Sequence, residues 1–210
     1  VRTVKNPILL AEAVMLHSPH VMLAIDGAEA FADTQPDIVR VAPDYFDTAH
    51  RLEQLHTTQA EQRASASQDL KGRYFGTVGA VALDAHGHIA AGTSTGGMTN
   101  KRWSRIGDSP IIGAGTYANR QCGVSGTGWG EFFIRAAVAH DICARMQYRG
   151  DTLSEAADEV LLNVVPGMGG DGGAIALDND GNIAMPFSTE GMYRGWIRPD
   201  GSRGVAIFKD

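Results

Sequence analysis

Apolar residues recur with helical spacing in the first part of this chain. In residues 6–17 they follow the pair Asn6-Pro7, which is typical of a helix start. The apolar run 21–25 has the length of a strand, and residues 43–56 return to helical spacing. The pattern therefore predicts a helix, a strand and a second helix.

Residues 57–73 interrupt this pattern. They are rich in Gln, Ala, Ser and charged side chains, and Leu70 is their only large apolar residue. Such a composition is typical of a linker. The spacing then changes to that of a β-hairpin, with strands predicted for residues 77–83 and 89–95 around a turn at 84–88.

An internal repeat relates two parts of the chain. Residues 79–98 align without gaps to residues 173–192, and twelve of the twenty positions are identical, which indicates duplicated hairpins within one sheet system. Two helices are predicted between the copies, at 130–147 and 152–164. Strands outside, helices between them and helices before them favour an α+β layered fold.

Composition excludes several classes of partner. The net charge of −6 disfavours a nucleic acid, because phosphate binding requires a basic surface. No apolar run approaches the ~20 residues that span a bilayer, so we expect no membrane partner. The chain starts at Val1 without a methionine, which leaves an upstream signal or segment open.

Two cysteines bear on the compartment of the protein. Cys122 and Cys143 do not form a C-x-x-C motif, so the sequence contains no zinc or redox motif of that type. They could pair only if the fold brought them together. We expect two free thiols in a reducing, cytoplasmic compartment.

The Gly76–Thr77 bond lies where the linker meets the first strand of the hairpin. Cleavage there would give Thr77 a free α-amine beside its hydroxyl, so that nucleophile and base belong to one residue. That amine has a pKa of about 7.7, against about 10.4 for lysine, and is the better base at neutral pH. Gly76 tolerates the strained backbone of an N-to-O acyl shift. The alternative, a β-branched residue that opens a strand, is favoured by spacing alone.

Hydroxyl and charged side chains follow in positions that suit such a nucleophile. Thr93 and Thr95 share one face of the second strand, because side chains alternate with a period of two. Arg105 and Asp108 lie close together on a loop that contains a glycine, where they could bind the carboxylate and the ammonium of a zwitterion. Taken alone, Arg105 and Asp108 are more simply interpreted as a surface ion pair.

Glycine-rich runs offer sites for negative charge. Residues 125–131, Ser-Gly-Thr-Gly-Trp-Gly-Glu, lead directly into a predicted helix, where backbone N–H groups would bind an oxyanion or a nucleotide phosphate. A formal G-x-G-x-x-G match at 167–172 follows a helix and precedes a strand, the reverse of the order in a Rossmann turn. We interpret that match as a helix-to-strand turn, and nucleotide binding ranks last.

Five motifs, in order, resemble those of the plant-type asparaginases with isoaspartyl peptidase activity. They are GTVGAVALD at 76–84, TSTGGMTNK at 93–101, RIGDSP at 105–110, TGWGE at 127–131 and TEGMYR at 189–194. The similarity covers essentially the whole chain. It implies the four-layer αββα sandwich of the Ntn-hydrolases, autocleavage between Gly76 and Thr77, and a dimer of cleaved αβ heterodimers.

The resemblance also implies site residues. They are the nucleophile Thr77, its supporting hydroxyl Thr95, the α-carboxylate ligand Arg105, the α-amine ligand Asp108, the oxyanion donors Thr127 and Gly128, and Gly130, which lines the substrate site together with Gly128. The implied reaction is the hydrolysis of β-aspartyl dipeptides and L-asparagine, both small molecules, without a cofactor. Trp129 would narrow the range of leaving groups.

The resemblance divides the chain into residues 1–56 as the C-terminal part of an α-subunit, 57–76 as a flexible linker, and 77–210 as the β-subunit. The family has a longer N-terminal segment, with a glycine-rich loop that holds a sodium ion. We expect a missing or separate segment to complete the fold and to carry any such ion. Two alternatives stay open: a glycosylasparaginase-like amidase, which the strand start Thr-Val-Gly disfavours, and a catalytically inactive fragment or precursor.

Overall fold

The computed structural model describes residues 1–64 and 76–209, and the chain divides into two compact units, Val1–Asp69 and Leu70–Asp210. Helices and antiparallel strands together give the α+β class that the sequence predicts. The four-layer arrangement stays a prediction. None of the helices in residues 1–64 and 76–209 combines the length and the apolar composition that a membrane span requires.

The first unit is helical. Its elements are α1 (Pro7–His17), α2 (Ile25–Asp33), a 3-10 turn (Pro43–Phe46) and α3 (Ala49–Ala64). Asn6 precedes α1 and Pro7 occupies its first turn, as predicted, because proline lacks the N–H that a helix start leaves unpaired. Val4, Leu10 and Ala32 form a small buried core in this unit.

One prediction for this unit is wrong. Residues 21–24 form no strand, and Ile25 begins α2, which the sequence did not predict. The side chain of Val21 is 83% exposed, so this apolar run has no buried face that would support a strand. Helix α3 continues to Ala64, into the segment predicted as a linker, and the rest of that segment up to residue 75 lies outside the described residues.

The second unit begins with the predicted hairpin. Strands β1 (Thr77–Leu83) and β2 (Ile89–Thr95) pair antiparallel, with Leu83 opposite Ile89 at the turn. Asp84 holds the turn, because its Oδ1 accepts hydrogen bonds from two backbone N–H groups of residues 86 and 88, both at 2.8 Å.

Two further sheets follow. Strands β3 (Thr116–Ala118), β4 (Cys122–Gly128), β5 (Gly172–Asp178) and β6 (Ile183–Ala184) form an antiparallel sheet in that order, and β7 (Gly191–Ile197) pairs with β8 (Arg203–Phe208). Strands β5 and β6 are the second copy of the repeat, so the two hairpins belong to different sheets. The second copy is shorter because Pro186 cannot donate to a ladder.

Successive residues of β4 face different neighbours. Val124 belongs to the buried core that the helices cover. Gly123 and Ser125 face the β1–β2 ribbon instead: a Cβ at Gly123 would lie 2.8 Å from Val81 Cγ1, and a Cβ at Gly79 would overlap Ser125 Oγ. Because strand side chains alternate between faces, the ribbon packs on one face of the four-stranded sheet and the helices pack on the other.

The two helices predicted for this face, at 130–147 and 152–164, are each composed of several segments. They are α4 (Gly130–Ala136), α5 (Val138–Arg149), α6 (Leu153–Asp158), a π-helical turn (Glu159–Val164) and α7 (Val165–Gly167). The predicted helix 130–147 is divided at Ala137, whose φ of 48° is left-handed and ends α4. The predicted capping box of Thr152 and Glu155 is present at the start of α6. The turn between α7 and β5 confirms the interpretation of the 167–172 motif.

Cys122 and Cys143 form a disulfide, so the expectation of two free thiols is wrong. Helix α5 packs on β4 and brings the two Cα atoms to 5.6 Å, with both residues fully buried. The cysteines are 21 residues apart and lie on different elements, and only this tertiary packing makes them neighbours.

Candidate active site

Thr77 and Thr95 occupy directly opposite positions at the open end of the β1–β2 hairpin. The Thr77 hydroxyl donates to Thr95 Oγ1 at 3.2 Å, and the Gly97 N–H donates to the same oxygen at 3.0 Å. Gly76, the residue before Thr77, has a φ of 111°, which favours glycine. The structure thus places the predicted nucleophile next to its predicted supporting hydroxyl.

Thr127 is on β4, which runs over the ribbon in the direction opposite to that of β1. Gly79 faces Ser125, and two residues further along β1 Val81 faces Gly123. One step of two residues the other way brings Thr77 opposite Thr127, because side chains on one face recur with a period of two. The nucleophile and the Thr127–Gly128 segment therefore meet at the same end of the two packed sheets.

Gly128 lies at the close approach of β4 and β5. Its φ is 157°, and a Cβ there would lie 2.6 Å from the Cα of Gly172, its partner across the ladder. A side chain at Gly128 would also lie 2.5 Å from the carbonyl oxygen of Asp171. The backbone at this strand end therefore has to be glycine, which leaves it bare of side-chain atoms.

Arg105 is paired with a residue to which the sequence assigned no role. Its Nε and Nη2 donate to the two carboxylate oxygens of Glu131 at 2.8 and 2.7 Å. The hydrogen bond from Arg105 is the main cause that lowers the pKa of Glu131 below its usual value. The signal in the sequence is weak: an acidic residue in the first turn of α4, directly after the glycine-rich run.

Asp108 is a buried carboxylate with an unpartnered oxygen. Only 7% of the surface of Asp108 is exposed. Its Oδ2 accepts no hydrogen bond from the part of the chain that the structure describes. Burial raises the pKa of Asp108 to about 6, against the smaller opposing effects of its backbone hydrogen bonds and of the charge on Arg105. A buried acceptor without a partner is unfavourable, and an ammonium group would satisfy it.

Gly130 provides the space between these two charged groups. A Cβ at this position would lie 2.7 Å from Asp108 Oδ1 and 2.8 Å from Arg105 Nη2. Gly115 leaves space on the other side of the Asp108 carboxylate, since a Cβ at Gly115 would lie 2.5 Å from Asp108 Oδ2. The guanidinium and the carboxylate therefore flank one point at the start of α4, where they could hold the two ends of a zwitterion.

The seven predicted site residues fall into two groups joined by the chain. Thr77, Thr95, Thr127 and Gly128 lie at the strand ends, and Arg105, Asp108 and Gly130 lie at the start of α4, which follows β4 directly. No group of three or more His, Cys, Asp or Glu side chains within residues 1–64 and 76–209 is arranged to hold a metal ion.

Comparison with known proteins gives a consistent result. A family model described as asparaginase matches residues 1–207. The chain is 51% identical to the isoaspartyl peptidase of Escherichia coli strain K12, over 98% of the chain and 65% of that protein. It is 49% identical to the isoaspartyl peptidase of Salmonella typhimurium strain LT2, over 99% of the chain and 67% of that protein. It is 42% identical to the probable isoaspartyl peptidase/L-asparaginase 2 of Arabidopsis thaliana, over 100% of the chain and 70% of that protein. The chain thus spans about two thirds of the length of these relatives.

Proposed function

The chain belongs to the asparaginase family, and from that premise we propose that it hydrolyses β-aspartyl dipeptides and L-asparagine with Thr77 as the nucleophile. The nucleophile becomes available when the Gly76–Thr77 bond is cleaved autocatalytically. The observation that carries the proposal is the hydrogen bond of 3.2 Å between the Thr77 and Thr95 hydroxyls, at the sheet end that also carries Thr127.

In the first step, Thr77 Oγ1 attacks the side-chain carbonyl carbon of the substrate. The freed α-amine of Thr77 accepts the hydroxyl proton and passes it to the leaving amine, so that an acyl-enzyme forms and an amine or ammonia departs. Thr95 stays hydrogen bonded to the reacting oxygen and holds it in place. Water then attacks the acyl-enzyme and releases aspartate. No cofactor takes part in these steps, because water supplies the atoms that replace the departing amine.

Thr127 and Gly128 stabilise the negative charge that develops on the carbonyl oxygen. The Thr127 hydroxyl and the Gly128 N–H donate to that oxygen, and each such donor typically contributes ~3 kcal/mol to the transition state. Glycine at position 128 supports this strand end, because a side chain there would collide with Asp171 and Gly172 of the neighbouring chain segment and displace the N–H group.

Arg105 and Asp108 bind the α-carboxylate and the α-amine of the aspartyl unit. The pair with Glu131 uses the Nε edge of Arg105 and leaves the Nη1–Nη2 edge for the substrate carboxylate. The Asp108 carboxylate, whose Oδ1 faces Gly130 and whose Oδ2 has no partner within the described residues, accepts from the ammonium. Gly130 lines the space between them.

The wider architecture follows the family in the same proposal. The described sheets and helices would belong to an αββα sandwich, and two cleaved αβ heterodimers would form a dimer. The remaining third of the relatives' length would be required for the complete sheet system.

Substrate choice tests this function. If Arg105 and Asp108 hold both α-groups of one aspartyl unit, the scissile bond must lie on its side chain. An α-linked dipeptide misplaces the reacting carbon, and such a misplacement can reduce the rate by ~100-fold. We expect cleavage of β-Asp-Leu, slower cleavage of asparagine and negligible cleavage of α-Asp-Leu when the three are measured side by side. Comparable rates on the two dipeptides would contradict the proposed binding mode.

A further inference from the structure

We propose that a cluster of three hydroxyl groups, Thr93, Thr116 and Ser125, positions the strand pair that carries Thr77 against the strand that carries Thr127. The inference rests on the proposed function, because it concerns how the reacting groups are held. None of the three side chains has a role in the chemical steps described above.

The three hydroxyls are joined directly. Thr93 Oγ1 lies 2.7 Å from Ser125 Oγ and 2.5 Å from Thr116 Oγ1. Thr116 Oγ1 also lies 3.0 Å from the carbonyl oxygen of Ser109, and Thr93 Oγ1 lies 3.3 Å from that of Gly115. Ser125 is buried, with 4% of its surface exposed. Hydrogen bonds in such surroundings are electrostatically stronger than in water, and a lost partner there is unfavourable.

These hydrogen bonds cross from one sheet to the other. Thr93 is on β2, whereas Thr116 and Ser125 are opposite each other on β3 and β4. Gly79 lies opposite Thr93 in the ribbon, and a Cβ there would overlap Ser125 Oγ. The two sheets therefore approach closely at this point, and the hydroxyl cluster fixes their relative position.

The cluster lies one side-chain step from the proposed reacting groups. Thr95 is two residues after Thr93, Thr127 is two residues after Ser125, and Thr77 is two residues before Gly79. One such step along a strand is ~7 Å, which separates the cluster from the proposed reacting groups. A shift of β2 against β4 at the cluster would change the separation of Thr77 from Thr127.

This geometry predicts a larger effect on kcat than on KM. The alignment of nucleophile and oxyanion donors depends on the two sheets. Arg105 and Asp108 lie on the loop between β2 and β3, which the cluster contacts only at the backbone carbonyl oxygens of Ser109 and Gly115. Even a small misplacement of reacting groups can reduce turnover by ~100-fold. Thr93 is therefore a positioning residue, and its hydroxyl rather than its volume is what matters.

The test compares three substitutions in the full chain with the unmutated protein. Thr93→Val keeps the shape and removes the hydroxyl, and we expect kcat on β-Asp-Leu to fall by ~10-fold to ~100-fold with KM within about twofold. Thr93→Ser restores the hydroxyl and should recover most of kcat. Ser94→Ala removes a neighbouring hydroxyl from the opposite face of β2, and it should leave kcat unchanged.

A double variant separates positioning from stability. Thr93→Val leaves the buried Ser125 oxygen without its partner, so its Tm should fall. Thr93→Val with Ser125→Ala removes both polar groups of that pair, while Thr116 keeps the Ser109 carbonyl oxygen as its acceptor. Tm should recover because replacing both partners of a hydrogen bond by apolar groups is nearly neutral. We expect kcat to stay low although Tm recovers. Recovery of kcat together with Tm, or an unchanged kcat in Thr93→Val, would overturn the positioning role.

The intact masses of the same samples provide a second measurement. Attack of Thr77 on the Gly76 carbonyl depends on the same alignment of the strands, so Thr93→Val should also slow cleavage before Thr77, whereas Ser94→Ala should not. If the unmutated chain cleaves but hydrolyses no β-aspartyl dipeptide, the proposed function fails. The cleavage rates then decide the positioning role: equal rates in Thr93→Val and Ser94→Ala would exclude it.

Discussion

Arg105 and Glu131 form a bidentate ion pair that orients the Arg105 guanidinium at the start of α4. Nε and Nη2 of Arg105 lie 2.8 and 2.7 Å from the two Glu131 oxygens, and the Arg105 side chain is only 17% exposed. A guanidinium presents two edges that each match a carboxylate, so a residue held in this way on one edge is prepared to bind a second carboxylate on the other.

Arg105→Lys tests the need for this planar geometry. Lysine keeps the positive charge but cannot meet two carboxylates bidentately. We expect the variant to cleave before Thr77 as the unmutated protein does, because that reaction involves no free substrate, and to lose most turnover of β-Asp-Leu. Steady-state kinetics and a denaturing gel on the same sample give both results. An unchanged kcat/KM would remove Arg105 from the substrate site.

Glu131→Gln tests whether Glu131 orients Arg105, and it leaves the Arg105 residue itself unchanged. Glutamine has nearly the same shape but carries no charge, so it holds the guanidinium less firmly. We expect KM for β-Asp-Leu to rise by about tenfold, which corresponds to ~1.4 kcal/mol of lost binding, while kcat changes little. The measurement is a Michaelis–Menten series on cleaved protein. A fall in kcat with an unchanged KM would show that Glu131 does not act through substrate binding.

Asp108→Asn should make the protein more stable and less active. Because burial raises the folded-state pKa of Asp108 from 3.8 to about 6, the folded state binds this proton more tightly, and the free energy of unfolding falls as the pH rises from about 4 to about 6. The uncharged variant should gain up to about 3 kcal/mol at pH 7.5 and much less near pH 4. Urea unfolding at both pH values measures this. An equal difference at the two values would show that ionisation is not its cause.

The disulfide should contribute measurably to stability. For a closed loop of 21 residues, a crosslink is worth about 3 kcal/mol of unfolding free energy. We expect Cys143→Ala to lose approximately that amount in urea unfolding. In the unmutated protein, iodoacetamide should label no thiol after denaturation without a reductant. Two labelled thiols under those conditions would restore the interpretation of Cys122 and Cys143 as free.

Local signals in the sequence were sufficient for several elements. Three of them depend on residues that are close in sequence. They are the helix start at Asn6-Pro7, the hairpin of β1 and β2, and the capping box of α6. The hairpin also determines part of the site, because a turn at 84–88 necessarily brings Thr77 opposite Thr95.

Long-range packing explains what the sequence did not reveal. The Cys122–Cys143 pair depends on how α5 packs on β4, and the Arg105–Glu131 pair joins positions 26 residues apart. The apolar run at 21–25 has strand composition, yet it has no buried face in its unit. The roles of the site residues came from the family resemblance rather than from spacing, and they stay predictions.

The central claim is that Thr77 becomes the N-terminal nucleophile by cleavage of the bond that precedes it. The intact mass of the purified full chain tests this most directly, with Thr77→Ala as the matched control. The account predicts two polypeptides for the unmutated protein, the second beginning at Thr77, and one uncleaved polypeptide for Thr77→Ala. A cut at any other bond, or a Thr77→Ala protein that divides as the unmutated one does, would contradict it.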